Sequence, residues 1–329
     1  MKVTQWKKVI YGGLLASLLL FGAARLYYSL TDDFRLSNMT YQFDFEVPWK
    51  VEPLTGEEQR DLTAILQQKF FYIGKGAQSY AFASEDQAYV LKFFKFKHVK
   101  PNWLIHLLPP VSPFNHYKAH YLERKKRKLI GVFEGYDLAY RKNRQAAGLI
   151  YLHLGPTDFI KQQVTVIDKL GLRHRINLDD VVFMVQKKGE TLRARLTQLL
   201  NANRVQAAKE AISRLLDMYE QEYQKGVYDR DHGVLFNTGF IGDTPFHLDV
   251  GKLSENEQMK QVGYYKKDLE HVVWKIDAWI KVHYPAYYSD LTAHLAQEYK
   301  KRTGELFDAS SIDPQRFKRK KRSMLWGRG

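Results

Sequence analysis

The chain contains no cysteine, which excludes a disulfide, a cysteine-ligated zinc and a cysteine nucleophile. That absence argues against a disulfide-rich secreted fold without fixing the compartment. No Gly-x-Ser-x-Gly segment occurs, so no hydrolase nucleophile elbow is expected. The 11 histidines are scattered, a distribution that argues against a zinc site. No internal repeat is visible. What is present is a 329-residue chain, 45% hydrophobic, long enough to bury a substantial core in one two-lobed unit or two small domains. Aromatic residues make up 14%, so some rings are expected to meet a membrane or a ligand. Fifty-one basic residues against 36 acidic give a formal charge of +15. Such an excess favours polyanions: nucleic acid, anionic lipid, phosphorylated glycans or nucleotides.

The longest apolar run lies near the start. Trp6, Lys7 and Lys8 precede residues 9–24, Arg25 interrupts, and Leu26-Tyr27-Tyr28 follows. The length is about the minimum for a bilayer span, and aromatic residues sit at both ends. A basic start with Gly22-Ala23-Ala24 also suits a cleaved signal peptide. The preferred reading is a single-pass anchor over residues 1–30, spanning at about 9–30, with Arg25 snorkelling. Lys2, Lys7 and Lys8 favour a cytoplasmic N-terminus by the positive-inside rule, which would put the rest of the chain outside. A cytosolic domain requires the reverse orientation or a run that does not span, and the sequence leaves the side of the domain open.

Beyond the anchor, residues 31–68 read as a connector and a leading helix, capped by Thr55 with Glu57 and Glu58 in its first turn. Residues 69–189 read as β-rich, with strands around Phe70 to Ile73, Tyr89 to Phe94 and Val181 to Val185, and a hairpin turning near Gly171. A helix is expected over 132–145. Residues 190–312 read as helical, since Leu192, Leu196, Leu199 and Leu200 share one face, and Ile212, Leu215, Leu216 and Tyr219 another. Residues 313–329 form a basic tail. Apolar residues 103–108 beside basic 124–128, and the polybasic run 316–322, suit contact with an anionic membrane surface. A solvated, charged helix face and a solvated tail are the plainer alternatives.

Chemistry concentrates in Asp229-Arg230-Asp231-His232-Gly233, Asn237 and Asp249-Val250-Gly251. Two carboxylates and a carboxamide among turn residues can hold metal ions on a polyphosphate and place a hydroxyl for attack. Far upstream lie Gly74-Lys75-Gly76-Ala77-Gln78-Ser79 and then Val90-Leu91-Lys92. Glycines between strands let backbone approach phosphates, although a plain hairpin turn uses glycine too. His232 and His247 lie near this set, where structural hydrogen bonding is the safer reading.

A glycine-rich turn, a strand lysine, an Asp…Asn pair and an Asp-x-Gly in that order resemble the protein-kinase-like superfamily, over roughly residues 69–253. The resemblance implies an α+β, two-lobed protein-kinase-like fold behind the N-terminal transmembrane helix, with an antiparallel β small lobe and a helical large lobe. It implies ATP and Mg²⁺ as cofactors, and ATP is scarce outside, where the positive-inside rule would put the domain. Gly74, Gly76 and Ser79 would cover the phosphates, and Lys92 would reach them while pairing with a helix glutamate, Glu134 in preference to Glu123. Phe183 or Met184 would line the adenine pocket, with Glu190 at the hinge. Asp231 would orient the acceptor hydroxyl, and Asn237 and Asp249 would hold the metal.

The pattern departs from the family at several points. Ser79 replaces the third glycine, Asp229 replaces the catalytic-loop histidine, the spacing from Asp231 to Asn237 is one residue longer, and no Ala-Pro-Glu follows. These departures point away from protein substrates, toward a glycan such as lipopolysaccharide, a lipid-linked or a small-molecule hydroxyl. The expected partners are nucleotide, anionic membrane lipid and such an acceptor, with nucleic acid disfavoured by the N-terminal run. A pseudokinase or membrane-surface scaffold is the alternative.

Overall fold

The computed structural model describes residues 2–40, 49, 54, 56–76, 78–97, 102–309 and 312. The Thr55 cap and the basic tail lie outside the described residues. The chain is a mixed α+β protein that divides into two compact units, Met1–Arg144 with Gly148–Lys188, and Gln145–Ala147 with Gly189–Gly329.

The first unit begins with α1 (Lys2–Leu30). Its segment Trp6–Leu30 is long and apolar enough to cross a membrane, and none of the apolar stretch is buried. Then come α2 (Gly56–Leu66), β1 (Lys69–Lys75), β2 (Ser79–Ser84), β3 (Tyr89–Phe94), α3 (Phe114–Lys142), β4 (Leu149–His153), β5 (Gln163–Ile167), β6 (Arg173–Asn177) and β7 (Phe183–Lys187). The strands form one sheet in the order β4-β7-β3-β2-β1-β5-β6. Every neighbouring pair is antiparallel except β1 with β5, which is parallel. The expectation of a purely antiparallel sheet is therefore corrected. Both edges of β7 are already taken, by β3 and β4, so the β5–β6 hairpin pairs along the free edge of β1.

Alternation along the strands gives this sheet two faces. Leu91, Phe93, Phe183 and Val185 enter a core with Phe82, Tyr151 and, from α2, Leu62, Ile65 and Leu66. Phe94 lies on the other face and meets Phe133 and Tyr136 of α3 edge-on, with ring centroids 5.4 and 4.6 Å away. Helix α3 is longer than the sequence reading expected. It starts just after Pro113, and the basic residues 124–128 fall within it.

The second unit contains β8 (Glu190–Thr191), α4 (Leu192–Asn201), α5 (Val205–Gln224), β9 (Val227–Asp229), α6 (Val234–Asn237), β10 (Thr238–Ile241), β11 (Thr244–His247), β12 (Leu253–Glu255), α7 (Val262–His283) and α8 (Tyr288–Thr303). The Thr191 hydroxyl caps α4 by accepting from the Ala194 amide at 3.1 Å. The α4, α5, α7 and α8 stripes share one core that includes Leu196, Leu215, Tyr219, Leu269, Ile276 and Leu295. Small sheets pin the loops to this bundle: β11-β10-β8, and β12 with β9. Gly239 allows β8 to approach β10, since a Cβ there would lie 1.8 Å from the Glu190 carbonyl oxygen.

Candidate functional site

In the second unit, the segment around Asp231 is tied from both sides. The Asp231 amide donates to the Asp229 carboxylate at 2.8 Å. The Arg230 amide donates to the Lys252 carbonyl at 3.2 Å, just past Asp249-Val250-Gly251. Strand pairing sets Asp229 opposite Leu253. The short helix α6 then folds Asn237 back over the same loop. Its amide donates to the Gly233 carbonyl at 2.8 Å, and a Cβ on Gly233 would meet the Asn237 Nδ2 at 2.5 Å.

Asn237 and Asp249 are neighbours. The Asn237 carbonyl accepts from the amides of Leu248 at 2.7 Å and Asp249 at 3.3 Å. The Asp249 carboxylate in turn accepts from the Gly251 amide at 3.1 Å, an arrangement that holds the turn shape. Asp231 and Asp249 are exposed, and Asn237 is half-buried. Asp229 is the opposite case, almost completely buried. Burial pushes its pKa up to about 6, against the opposing charge of His247.

Histidines brace this loop from below. His247 is fully buried and pairs with Glu222 of α5 at 2.9 Å. Burial alone would lower its pKa, but the Glu222 carboxylate outweighs that and raises it. His232 adopts a left-handed φ of 50°, pairs with Asp268 of α7 at 2.6 Å, and stacks on His271 with centroids 4.2 Å apart. Both histidines therefore have structural partners. Glu222 and Asp268 were not marked by the sequence reading, yet Glu222 had a signal. It falls three residues after Tyr219, on the same apolar stripe of α5, and a carboxylate on such a stripe needs a buried partner.

In the first unit, Lys92 is half-buried on β3. It stands opposite Ala81 of β2 and Met184 of β7. Its ammonium donates to the Gln186 Oε1 at 2.9 Å. Glu134, the expected partner, is exposed on α3. The inward stripe of α3 is Leu129, Val132, Phe133, Tyr136 and Ala139, and position 134 lies about 100° around the helix from 133. Glu123 is exposed as well and sits 3.7 Å from Arg127. Of the two candidates for the pocket wall, Met184 shares the Lys92 face. Phe183 points into the opposite core, its ring 4.9 Å from His153 and 6.5 Å from Phe93, as strand alternation places it.

The glycine turn is a tight hairpin between β1 and β2. The Gly76 amide donates to the Ser79 carbonyl at 2.9 Å, and Gly74 pairs with Ala81 after a bulge. The Lys95 ammonium donates to the Gly76 carbonyl. Burial, with the nearby charge of Lys75, lowers the Lys95 pKa to about 8. Ala77 lies outside the described residues. In the second unit, Glu190 is half-buried in β8, opposite Phe240, and pairs with Arg195 at 2.7 Å.

No family model matches the chain, and no curated protein matches it. Among solved structures it is similar to a crystal structure of WbdD, with a TM-score of 0.36 and 13% identity over 73% of this chain and 47% of that one. A second structure, described as the bifunctional kinase-methyltransferase WbdD, matches with a TM-score of 0.33 and 12% identity over 71% of this chain and 44% of that one. A complex of WbdD with the kinase inhibitor LY294002 matches with a TM-score of 0.33 and 15% identity, over 73% and 46%. The chain spans less than half the length of these structures.

Proposed function

We propose that this protein is a membrane-anchored, ATP-dependent phosphotransferase that moves the terminal phosphoryl group of Mg-ATP to a hydroxyl on a glycan, a lipid-linked molecule or a small molecule. The observation that carries this reading is the pair of backbone hydrogen bonds from the Leu248 and Asp249 amides to the Asn237 carbonyl, which brings the main chain of Asn237 beside that of the exposed Asp249. Among the described residues, no group of three or more histidines and acids could hold a metal by itself. A carboxylate and a carboxamide fit Mg²⁺, which keeps several waters and takes most other ligands from phosphate. When bound, the ion would neutralise charge on the transferring phosphoryl group. Asn237 and Asp249 would hold it. Asp231, exposed on a loop fixed through Asp229, would orient the acceptor hydroxyl and take up its proton. Lys92, beside Ala81 and Met184 on a largely apolar strand face, would bind the nucleotide phosphates. The turn of Gly74, Gly76 and Ser79 would contribute backbone amides, and Glu190 would lie near the base.

One observation favours a second reading, a pseudokinase that binds without turning over. The Lys92 ammonium donates to the neutral Gln186 Oε1. Both readings meet the same experiment. Millimolar Mg-ATP is expected to raise the melting temperature of the full chain, and Lys92→Ala and Asp249→Ala are each expected to abolish that shift. Asp231→Asn is expected to keep the shift and lower turnover by orders of magnitude. No shift in the wild type would remove the support for nucleotide chemistry. A shift that needs no metal and comes with no turnover would select the pseudokinase.

A further inference from the structure

The end of α1 is joined to the sheet without a free tether. Tyr27 donates its hydroxyl to the Asp168 Oδ2 at 2.6 Å. Two residues past the helix, Asp32 takes Lys75 at 2.7 Å, the Tyr72 hydroxyl at 2.8 Å and Lys169 at 3.2 Å. Asp33 pairs with Arg35 and Lys97. Phe34 is buried, edge-on to Tyr80 and Phe82.

Asp168 is the first residue of the turn between β5 and β6. Its other oxygen, Oδ1, accepts from the amides of Leu170 at 2.9 Å and Leu172 at 3.0 Å. Gly171 closes the turn with a φ of 84°, a left-handed value that suits glycine. The same carboxylate thus shapes the hairpin tip and holds it against the last turn of the apolar helix. At that tip Leu170 and Leu172 are about half exposed, between Lys169 and Arg173. Beside them opens a cavity of about 520 Å³ lined by Tyr28, Phe34, Arg35, Arg173, His174 and Arg175, among others. The Arg35 guanidinium lies 3.9 Å above the Tyr28 ring. Arg173 and Arg175 are exposed on the edge strand β6, with no acidic partner among the described residues.

We infer that the β5–β6 hairpin is a second membrane-contact element: Leu170 and Leu172 sit in the lipid interface, and Arg173 and Arg175 hold the phosphate of an anionic phospholipid headgroup at the mouth of this cavity. The inference rests on reading α1 as a membrane span. Trp6–Leu30 comprises 25 residues, about 37 Å of helix, against a hydrocarbon core of about 30 Å. Tyr27 then falls at the boundary between hydrocarbon and headgroups, and its bond to Asp168 fixes the hairpin there. Exposed leucines flanked by cations, continuous with an apolar helix, match the amphipathic layering of that zone. Residues 103–108 also expose Leu104 and Leu107, but no described contact ties them to α1.

The chain lacks cysteine, so a single introduced cysteine gives a unique label. The full-length protein, carrying Leu170→Cys or Leu172→Cys with an environment-sensitive fluorophore, is placed in nanodiscs of phosphatidylcholine with or without phosphatidylserine. The expected result is quenching by nitroxide on shallow lipid positions, shielding from aqueous iodide, and stronger quenching with phosphatidylserine. Arg173→Glu with Arg175→Glu should remove that lipid dependence while leaving the fold intact by circular dichroism. A parallel Leu18→Cys label, read with deep nitroxides, reports the span. Iodide-accessible hairpin labels alongside a deeply quenched Leu18 label would overturn the hairpin contact and leave the span standing. An unquenched Leu18 label would overturn the span, and the hairpin contact with it. Equal quenching in both lipid mixtures would overturn the headgroup assignment.

Discussion

In the first unit, Asp32, Asp33 and Asp168 lie within reach of ammonium, guanidinium and phenol donors, and their pKa values fall. In the second, Asp229 is buried and its pKa rises to about 6. Lys75, before any other partner, draws Asp32 down to about 2. At Asp33 and Asp168 burial opposes ionisation, but Lys97 and Arg35 outweigh it at the first, and Tyr27 and His174 at the second. The histidines divide in the same way. Burial takes His153 in the first unit down to about 4, while Glu222 and Asp268 raise His247 and His232 in the second. Lowered acids and a lowered histidine give stability that is present near neutrality and lost as pH falls. A raised acid and raised histidines give stability that is present in acid and lost as pH rises. The join to α1 is therefore acid-labile, and the loop that carries the candidate chemistry is base-labile.

The largest expected effect comes from breaking the buried pair in the second unit. Glu222→Leu leaves His247 buried beside Asp229 without its partner, and should cost about 3–5 kcal/mol in urea melts. A cost below about 1 kcal/mol would mean that the pair does not distinguish the units. Next comes the pH slope. Asp229 is protonated more readily in the fold, so its contribution is complete below its unfolded value and disappears as pH rises through about 6. Asp229→Asn should spare the variant a loss on the order of 3 kcal/mol that the wild type suffers between pH 4 and 7. The mirror test is His153→Phe. The wild-type histidine contributes stability above its unfolded value and loses it as pH falls through about 4. The variant should lack a loss on the order of 3 kcal/mol between pH 7 and 4. Slopes of the same sign for the two substitutions would erase the contrast. The smallest effect is expected at the surface: Lys169→Ala removes one half-exposed partner of Asp32 and should change stability by less than about 1 kcal/mol.

The sequence revealed β1, β3, β7 and the β5–β6 hairpin of the first unit, and the α4 and α5 stripes of the second, through simple periodicity, but not β2 or β4. It did not reveal the parallel pairing of β5 with β1, since a strand's own residues do not say which edge of a sheet is free. Glu134 is instructive for another reason. The repeat Leu129, Val132, Phe133, Tyr136, Ala139 sets the inward face of α3 and leaves 134 outside it, a stripe legible in the sequence itself. The same alternation argument separates Met184 from Phe183. The bonds from Leu248 and Asp249 to the Asn237 carbonyl run between backbones, and no side-chain pattern announces them. Glu222 stood in plain view as a carboxylate among tyrosines.

Asp168 also has a mechanical consequence. A domain on a flexible leash sweeps a hemisphere above the bilayer and meets its targets at every angle. Here one oxygen grips the helix and the other shapes a turn of the sheet, so twisting the helix about its axis would turn the first unit with it. For a helix seated in a bilayer, the first unit then diffuses in two dimensions while keeping one pose. What it can touch is set by height above the lipid rather than by concentration in solution.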